Sequence, residues 1–253
     1  LSLALAAIML IGMMVVSASA ASYNDLTDKD QIVNKDAVSM LVSLGIIEGK
    51  PDGSYGPTEN VDRAQMAKML SVIMNKGVDN SALYQSVNSG LVDVNTNWAK
   101  GHINYCYTTG IIAGRGNGKF DPSATVTALE AAKMLLVAVG YDPAIEGFEG
   151  ADWAINVSVR ADEQGIFEGF TKDLSAPLNR DDAALLIYNA LDVEMIQSYT
   201  TNNYPIAYSD HRTILADKYG VIKVQGVVVA NEWASLASDD GDAALKEGKT
   251  TIY

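Results

Sequence analysis

The feature that most restricts the fold of this chain is a phrase that occurs three times. It reads GIIEGKPDGSYGP at 45–57, GIIAGRGNGKFDP at 110–122 and, in an altered form, GIFEGFTKDLSAP at 165–177. The first glycines of the phrases are 65 and then 55 residues apart. A period of this size predicts a repeat architecture, in which each unit buries its apolar face against a neighbouring unit.

A helical pattern precedes each phrase, because apolar residues recur at helical spacing and predict one buried stripe. These residues are Val33, Ala37, Met40, Leu41 and Leu44 in the first copy, Trp98, Ile103 and Cys106 in the second, and Trp153, Val157 and Ala161 in the third. The glycine that follows is predicted to end the helix in the left-handed conformation, which costs glycine less than other residues.

A second helix begins after each loop. The segments VDRAQ at 61–65, VTALE at 126–130 and LNRDD at 178–182 predict helix N-caps at Asp62, Thr127 and Asn179. From the first glycine to the cap is 17, 17 and then 14 residues, so the third loop is shorter. The repeating unit is therefore predicted to be helix, glycine turn, structured loop and helix.

Arg63 and Arg180 follow the caps directly, at a position where the helix dipole disfavours a cation. Two interpretations are open. Each arginine is either a solvated surface residue, or it faces an anionic ligand together with the free N–H groups of the helix start.

Charge and composition exclude several classes of function. The chain has 18 Lys and Arg against 31 Asp and Glu, a net charge of −13, which argues against a nucleic-acid partner. The single Cys106 excludes an internal disulfide or a cysteine-based zinc site and is predicted to be a small buried residue. His102 and His211 are isolated and are predicted to be surface or partly buried residues. No catalytic motif, cofactor motif or calcium-loop spacing is present, so no enzyme activity, cofactor or metal is predicted.

The two ends of the chain differ from the repeats. Residues 1–21 carry no charge, and their apolar run followed by Ala18 and Ala20 predicts a secretory signal peptide, with an uncleaved anchor as the lesser alternative. The start looks clipped, and the mature chain is expected to begin near Ala21. After Asp192, TTNNYP is predicted to be a linker, and YGVIKVQGVVVAN and TTIY to be strands, with a bulge or close approach at Gly226. We expect the full protein to continue with β-rich domains.

Taken together, these pieces resemble the S-layer homology domain, over roughly residues 22–192. That family combines an aromatic-x-Asp start, a Trp-Ala pair, G-I-[IV]-x-G, an [FY]-x-P loop and an I-T-R-A-E helix start. The first copy matches through YNDL at 23–26, GIIEG, YGP and VDRAQ. The second matches through LVDV at 91–94, Trp98-Ala99, GIIAG, FDP and VTALE, and the third keeps Trp153-Ala154, GIFEG and LNRDD.

The resemblance implies a mainly α fold, with three helix-loop-helix repeats in a pseudo-threefold bundle followed by a small β segment. The expected boundaries are a signal peptide at 1–21, repeats at 22–78, 88–143 and 148–192, and a linker with the start of a β-rich region at 193–253. It also implies grooves between repeats that bind secondary cell-wall polysaccharide, often pyruvylated, and allows self-assembly in a surface lattice. The positions that match the family's binding residues are Arg63, Arg180, Trp98, Trp153, Gly49, Gly114 and Gly169.

Several positions depart from the family pattern. Ala128 replaces the arginine of the second copy, so the groove that depends on it is expected to be weak or empty. Arg115 either supplies a substitute charge or is a solvated loop residue. The first copy has Asp36-Ala37 or a nearby pair in place of Trp-Ala. For Trp98 and Trp153, anchoring in the core and stacking on a sugar both stay open.

The predicted function is non-covalent anchoring of an exported, S-layer-like surface protein to the bacterial cell wall. Since a protein of charge −13 is repelled by an anionic wall polymer, recognition must be local. Two alternatives remain. The module could anchor a surface glycoside hydrolase or amidase whose catalytic domain lies outside this sequence, or it could bind a protein instead of a glycan.

Overall fold

The computed structural model describes residues 22–223 together with two short strands at 228–231 and 250–252. Short 3-10 helices at Tyr23–Asp25, Lys29–Gln31 and Ser81–Tyr84 accompany seven α-helices in this part of the chain. The α-helices are α1 (Lys35–Ser43), α2 (Arg63–Met74), α3 (Lys100–Thr108), α4 (Ala128–Ala138), α5 (Trp153–Glu163), α6 (Arg180–Ala190) and α7 (Ile214–Tyr219). The mainly α prediction is therefore confirmed.

The first six helices pair across repeats in a circular order. The second helix of each repeat packs against the first helix of the next, so α2 contacts α3, α4 contacts α5, and α6 contacts α1. The last pairing closes the circle, because it joins the third repeat to the first. No repeat therefore buries its apolar face by itself, as the repeat period suggested.

A ring of three backbone hydrogen bonds marks the centre of this arrangement. The Val61 N–H donates to the Leu178 carbonyl at 2.8 Å, Leu178 to Val126 at 2.7 Å, and Val126 to Val61 at 2.9 Å. All three side chains are buried. Because each of these residues immediately precedes a helix cap, the ring brings the starts of α2, α4 and α6 together around a pseudo-threefold axis.

The predicted helix boundaries are confirmed both at the N-terminal caps of the second helices and at the glycines that follow the first helices. Asp62 with Gln65 and Thr127 with Glu130 form complete capping boxes, and the Asn179 side chain accepts from the Asp182 N–H at 2.8 Å. The glycines that end the first helices have left-handed backbones, with φ of +69° at Gly45, +80° at Gly110 and +70° at Gly165.

The core is continuous through all three repeats and contains the lone cysteine, as predicted. Burial raises the pKa of the Cys106 thiol, so that it stays protonated and acts as a small apolar group. The prediction for Val33 was wrong: this side chain is 81% exposed and lies before α1, outside the buried stripe.

Residues after the third repeat form a hairpin that the sequence did not predict. Strands β1 (Ile196–Tyr199) and β2 (Pro205–Ala207) pair antiparallel, so TTNNYP is mainly the turn between them and not a linker. The Ile196 N–H donates to the Val139 carbonyl at 2.8 Å, and the Tyr219 hydroxyl of α7 donates to Ile73 at 3.2 Å. These contacts fasten the hairpin and α7 to the repeats.

Residues 220–253 form a separate compact unit. Within it, β3 (Val228–Asn231) pairs antiparallel with β4 (Thr250–Ile252), which agrees with the predicted strand in TTIY. The predictions for Gly226 and for the signal peptide at 1–21 lie outside the described residues. None of the helices at 22–223 combines the length and apolar character that a membrane crossing requires. The repeat boundaries stay predictions.

Candidate functional site

Among the described residues 22–223, two grooves lie between the repeats, and each draws its walls from all three of them. The first groove, of about 250 Å³, is lined by Gly49 and Lys68 of the first repeat, Trp98 of the second and Arg180 of the third. The second groove, of about 320 Å³, is lined by Gly114 and Lys133 of the second repeat, Trp153 of the third and Arg63 of the first. Six of the seven predicted site residues are thereby brought together in two equivalent sets.

Arg63 is buried, with only 4% of its surface exposed. Its Nε donates to the Phe120 carbonyl at 2.8 Å and its Nη2 to the Ala113 carbonyl at 2.9 Å, while the guanidinium lies 4.3 Å from the centre of the Phe120 ring. Burial, and secondarily the charge of Arg115, lower the pKa of Arg63 to about 10. The interpretation of Arg63 as a solvated surface arginine is therefore wrong.

Arg180 makes the same contacts with the first loop, but it is only partly buried. Its Nε donates to the Tyr55 carbonyl at 2.8 Å and its Nη2 to the Glu48 carbonyl at 3.1 Å. The guanidinium lies 4.6 Å from the centre of the Tyr55 ring, whose hydroxyl in turn donates to the Arg180 carbonyl at 2.8 Å. Each arginine thus contacts the loop of the next repeat and holds the aromatic residue of that loop, Phe120 or Tyr55, in place.

The helix N–H groups beside the arginines already have acceptors. The N–H groups of Arg63 and Ala64 donate to Ala124 and Pro122, both at 2.9 Å, and those of Arg180 and Asp181 donate to Glu59 and Pro57 at 2.9 and 3.1 Å. The idea that free helix-start N–H groups bind an anion is therefore wrong, because the neighbouring loop occupies them.

The position equivalent to these arginines in the second repeat is Ala128, which is fully buried against the third loop. The adjacent Leu129 N–H donates to the Leu174 carbonyl at 3.0 Å, as Ala64 does to Pro122. Leu174, and not Pro177, therefore corresponds to the proline of the other loops. The aromatic position two residues earlier is Lys172, which forms an ion pair with Asp182.

We call this region the third interface and define it by Ala128, Val33, Gly169 and Leu185. Val33 and Leu185 line one shallow cavity there, and a Cβ on Gly169 would lie 3.7 Å from Leu185. The residue pair in the Trp-Ala position of the first repeat is Val33-Asn34, because the other matched positions of the first two repeats are 65 residues apart. The missing arginine of the second repeat thus falls on this interface and not on the second groove.

The two tryptophans differ in exposure, and neither belongs to the buried core. Trp98 is 58% exposed, and Trp153 is partly buried at the start of α5. Gly49 and Gly114 also line their grooves, but a Cβ on Gly114 would lie 2.8 Å from the Lys119 carbonyl. The packing of the loop on itself is therefore enough to require glycine at 114.

Several residues of the site were missed in the sequence. Lys68 and Lys133 occupy equivalent positions on α2 and α4, six residues after each cap, a recurrence that could have singled them out. Asp28 accepts from Tyr55 and Gly56 at 2.7 and 2.8 Å, as Asp93 does from Phe120 and Asp121. The aspartate of the first copy is therefore Asp28 and not Asp25. In both copies this aspartate precedes the loop aromatic residue by 27 residues, a spacing that could have identified it in the sequence.

Two further residues have definite partners. Arg115 lines the second groove and forms an ion pair with Glu130 at 2.7 Å, so it is held by a carboxylate. His102 is only 4% exposed, contrary to the prediction of a surface or partly buried residue. Its Nδ1 lies 2.6 Å from the Ser71 hydroxyl and its Nε2 lies 3.6 Å from an Asp79 oxygen. Residues 22–223 contain no cluster of His, Cys, Asp and Glu that could hold a metal ion.

Residues 22–67 and 92–132 match the family model of the S-layer homology domain. Both segments belong to the S-layer homology family. The two matched segments lie within the predicted first and second repeats, whose loops keep the aromatic-x-Pro pattern. The S-layer homology domain is a non-catalytic anchoring module, and membership of the family gives the chain a secreted, cell-wall-associated location.

The relatives that this chain resembles have varied names. The chain is 29% identical to a "Cell surface protein" of Thermoanaerobacter kivui over 92% of its own length, but spans only 28% of that protein. It is 33% identical to an "S-layer protein" of Bacillus licheniformis over 45% of the chain and 12% of the relative. It is 30% identical to an "Amylopullulanase" of Thermoanaerobacterium thermosulfurigenes over 68% of the chain and 10% of the relative. The chain therefore corresponds to a minor part of each of these proteins.

Proposed function

We propose that the first and second grooves bind a secondary cell-wall polysaccharide and so hold the protein on the peptidoglycan layer. The observation that carries this proposal is the double recurrence of one set of residues. An arginine, a lysine, an exposed or partly exposed tryptophan and a loop glycine meet in each groove, although they come from three repeats. An indole face suits a sugar ring, and the cations suit an acid group on that sugar.

The distribution of charge supports an anionic ligand. The six cationic residues that line the two grooves are Lys50, Lys68, Arg180, Arg63, Arg115 and Lys133. They are a third of the chain's 18 lysines and arginines, whereas only three acidic residues of the described part of the chain line the grooves. A chain of net charge −13 thus presents locally positive grooves, where short-range attraction outweighs the repulsion that salt screens.

The proposal is tested by sedimentation of the chain with wall sacculi before and after acid extraction of the secondary polymer. We expect binding to intact sacculi and loss of binding after extraction. Binding that survives extraction would contradict the proposal. Binding to the purified, protein-free polymer separates the glycan from a protein partner, and failure there with intact binding to wall proteins would favour the protein-binding alternative.

A second candidate concerns what the module anchors. The similarity to a relative named "Amylopullulanase" supports the proposal that these repeats could tether a surface enzyme as well as an S-layer-like protein. The two candidates share the same grooves. They differ in the rest of the protein, so the full reading frame and an assay of the whole protein on α-glucans would distinguish them.

A further inference from the structure

Residues 193–219, which we call the clasp, bond to the C-terminal end of the second helix in every repeat. Three hydrogen bonds join the clasp to main-chain carbonyls there: the Tyr219 hydroxyl to Ile73 in the last turn of α2 at 3.2 Å, the Ile196 N–H to Val139 after α4 at 2.8 Å, and the Leu215 N–H to Leu191 after α6 at 2.9 Å. The last carbonyls of an α-helix are available to a neighbouring segment, because the helix itself supplies them with no partner of its regular pattern. The clasp is therefore attached to all three repeats, although it follows only the third in the chain.

The hairpin of the clasp is held by the end of α4 and by the segment that leads to α5. Gly140, just after α4, has a left-handed backbone with φ of +107°, and a Cβ there would lie 2.5 Å from the Ile196 carbonyl oxygen. The Glu146 side chain is 6% exposed, and its carboxylate accepts from the Tyr199 hydroxyl and from Arg160 Nε, both at 3.0 Å. The hairpin thus touches the main chain of the second repeat closely and shares a buried carboxylate with α5.

Helix α7 closes the clasp and attaches it to the core. The side chains of Ile214 and Leu215 are buried. The Met195 N–H donates to the Arg212 carbonyl at 2.7 Å, so the start of the clasp is bonded to the residues that lead into α7. The clasp is therefore a folded element with an internal bond of its own.

The order of these attachments along the chain determines how a pull on the chain reaches the repeats. The chain runs from α6 through the hairpin to α7 and then into the unit at 220–253. A pull on that unit acts on α7 first and on the hairpin next, and it unwinds α6 only after both have been displaced. Trp153 and Arg180 of the grooves precede the clasp, so the third repeat keeps them in place until the clasp has opened.

We propose that the clasp is a mechanical device of the anchor, which opens under a pull from its C-terminal side and so keeps the third repeat folded in the bundle. Local opening of one cooperative segment before the rest is a general property of folded proteins. The clasp has 27 residues, which span at most about 90 Å when extended. Its opening lengthens the chain by up to this amount before α6 separates from α1 and α4. The inference concerns the response to force and does not rest on what the grooves bind.

The test stretches the whole chain at constant force between handles at Ile155→Cys on α5 and Val221→Cys just after the clasp. Both positions are exposed, whereas Cys106 is buried and does not compete for thiol-reactive handles. We expect a first step of at most about 90 Å for the clasp and a later step of at most about 130 Å for residues 155–192. The rate of each step is recorded, because forced unfolding is governed by the unfolding rate.

A matched pair of glycine variants assigns the first step to the clasp. Gly140→Ala places a methyl group against the Ile196 carbonyl and is expected to make the first step about tenfold faster, with the second step unchanged. Gly110 also has a left-handed backbone, with φ of +80°, but a Cβ there would meet no atom within 4 Å. Gly110→Ala therefore introduces backbone strain without a clash against the clasp and is expected to leave both steps unchanged.

Tyr219→Phe is a milder variant, and it keeps the test decisive if Gly140→Ala does not fold. It removes only the hydroxyl that bonds to α2 and is expected to make the first step about threefold faster. The inference is overturned if residues 155–219 extend in one step or if the longer step comes first. It is also overturned if the variants that fold, Tyr219→Phe among them, keep the first step within about twofold of its unmodified rate. None of these outcomes depends on binding to the wall polymer, so the proposed function stands or falls separately.

Discussion

The second groove and the third interface occupy equivalent places around the pseudo-threefold axis, yet they differ at three of their four equivalent positions. Arg63, Lys133 and Trp153 of the groove are replaced by Ala128, Leu185 and Val33. Only the glycine, at 114 and 169, is common to both. The helices of the third interface pack normally, because α6 contacts both α1 and α4. Packing of the bundle therefore does not require the groove residues, which supports a role for them outside folding.

The arginine and the aromatic residue of the facing loop form a contact pair, and the third interface lacks both members of the pair. Arg63 lies over Phe120 and Arg180 lies over Tyr55, whereas Ala128 faces a loop with Lys172 at the aromatic position. An arginine at 128 would meet the positive charge of Lys172 in place of a ring face. The two losses, in different repeats, therefore concern one contact.

The largest effect is expected when both complete grooves are made to resemble the third interface. The double variant Arg63→Ala with Arg180→Ala removes one cation from each groove. It also removes the hydrogen bonds that hold the two loops in place. Because two grooves on one chain bind with avidity, sedimentation with wall sacculi should weaken by about a hundredfold. Circular dichroism spectra of the variant provide the control for folding. Unchanged sedimentation would contradict the assignment of the grooves.

The single arginine variants should differ in their effect on stability. We expect Arg63→Ala to lower the free energy of unfolding by about 3 kcal/mol and Arg180→Ala by about half of that. The reason is that Arg63 is buried and its hydrogen bond to the Phe120 carbonyl is also buried, so its loss leaves that carbonyl without a donor away from water, whereas water reaches the partly buried Arg180. Urea unfolding of the two variants measures the difference. The reverse order would show that burial does not decide the strength of this contact.

The free energy of unfolding is expected to depend on pH through His102, which lies beside the first groove. The second groove has no equivalent histidine. Burial lowers the pKa of His102 below its usual 6.5, against the opposing charge of Asp79, with Lys68 adding to the decrease. Trp98 of the first groove lies 6.4 Å from the His102 ring, and the position equivalent to His102 in the third repeat is the buried Val157.

His102 is thus neutral in the folded chain at a pH where the unfolded chain already binds a proton. Stability is complete above pH 6.5 and falls as the pH decreases toward the folded pKa, by up to about 1.4 kcal/mol per pH unit. Urea unfolding between about pH 5 and pH 7 should show this slope, and His102→Gln should remove it. A slope that persists in His102→Gln would assign the effect to other groups.

The smallest effect is expected from restoring the missing arginine alone. Ala128→Arg should leave sedimentation with sacculi within about twofold, because Lys172, Leu185 and Val33 still occupy the other positions of the third interface. Leu185→Lys provides a second single replacement for the same comparison. A clear gain in binding from either variant would show that the third interface lacks only one residue.

Much of the helical unit could be predicted from the sequence because its signals are local. Asp62, Thr127 and Asn179 cap their own helices, and Gly45, Gly110 and Gly165 end theirs. The hairpin at 196–207 could not be predicted in this way. Its two strands are short, and it is held by a bond from Ile196 to Val139 of the second repeat, a contact that no local pattern reports.

The sequence by itself determined the repeating helix-loop-helix unit, its caps and turns, its family, and the arginine, tryptophan and glycine positions of the candidate site. Only the tertiary structure decided which copies share a groove. Read along the chain, the second copy lost its arginine and the third copy lost its loop, which suggested two separate defects. In the structure the helix-start N–H groups of each repeat donate to the loop of the next repeat. In the first and third repeats, the arginine side chain contacts that same loop. Both losses therefore fall on the third interface, and the other two grooves are complete.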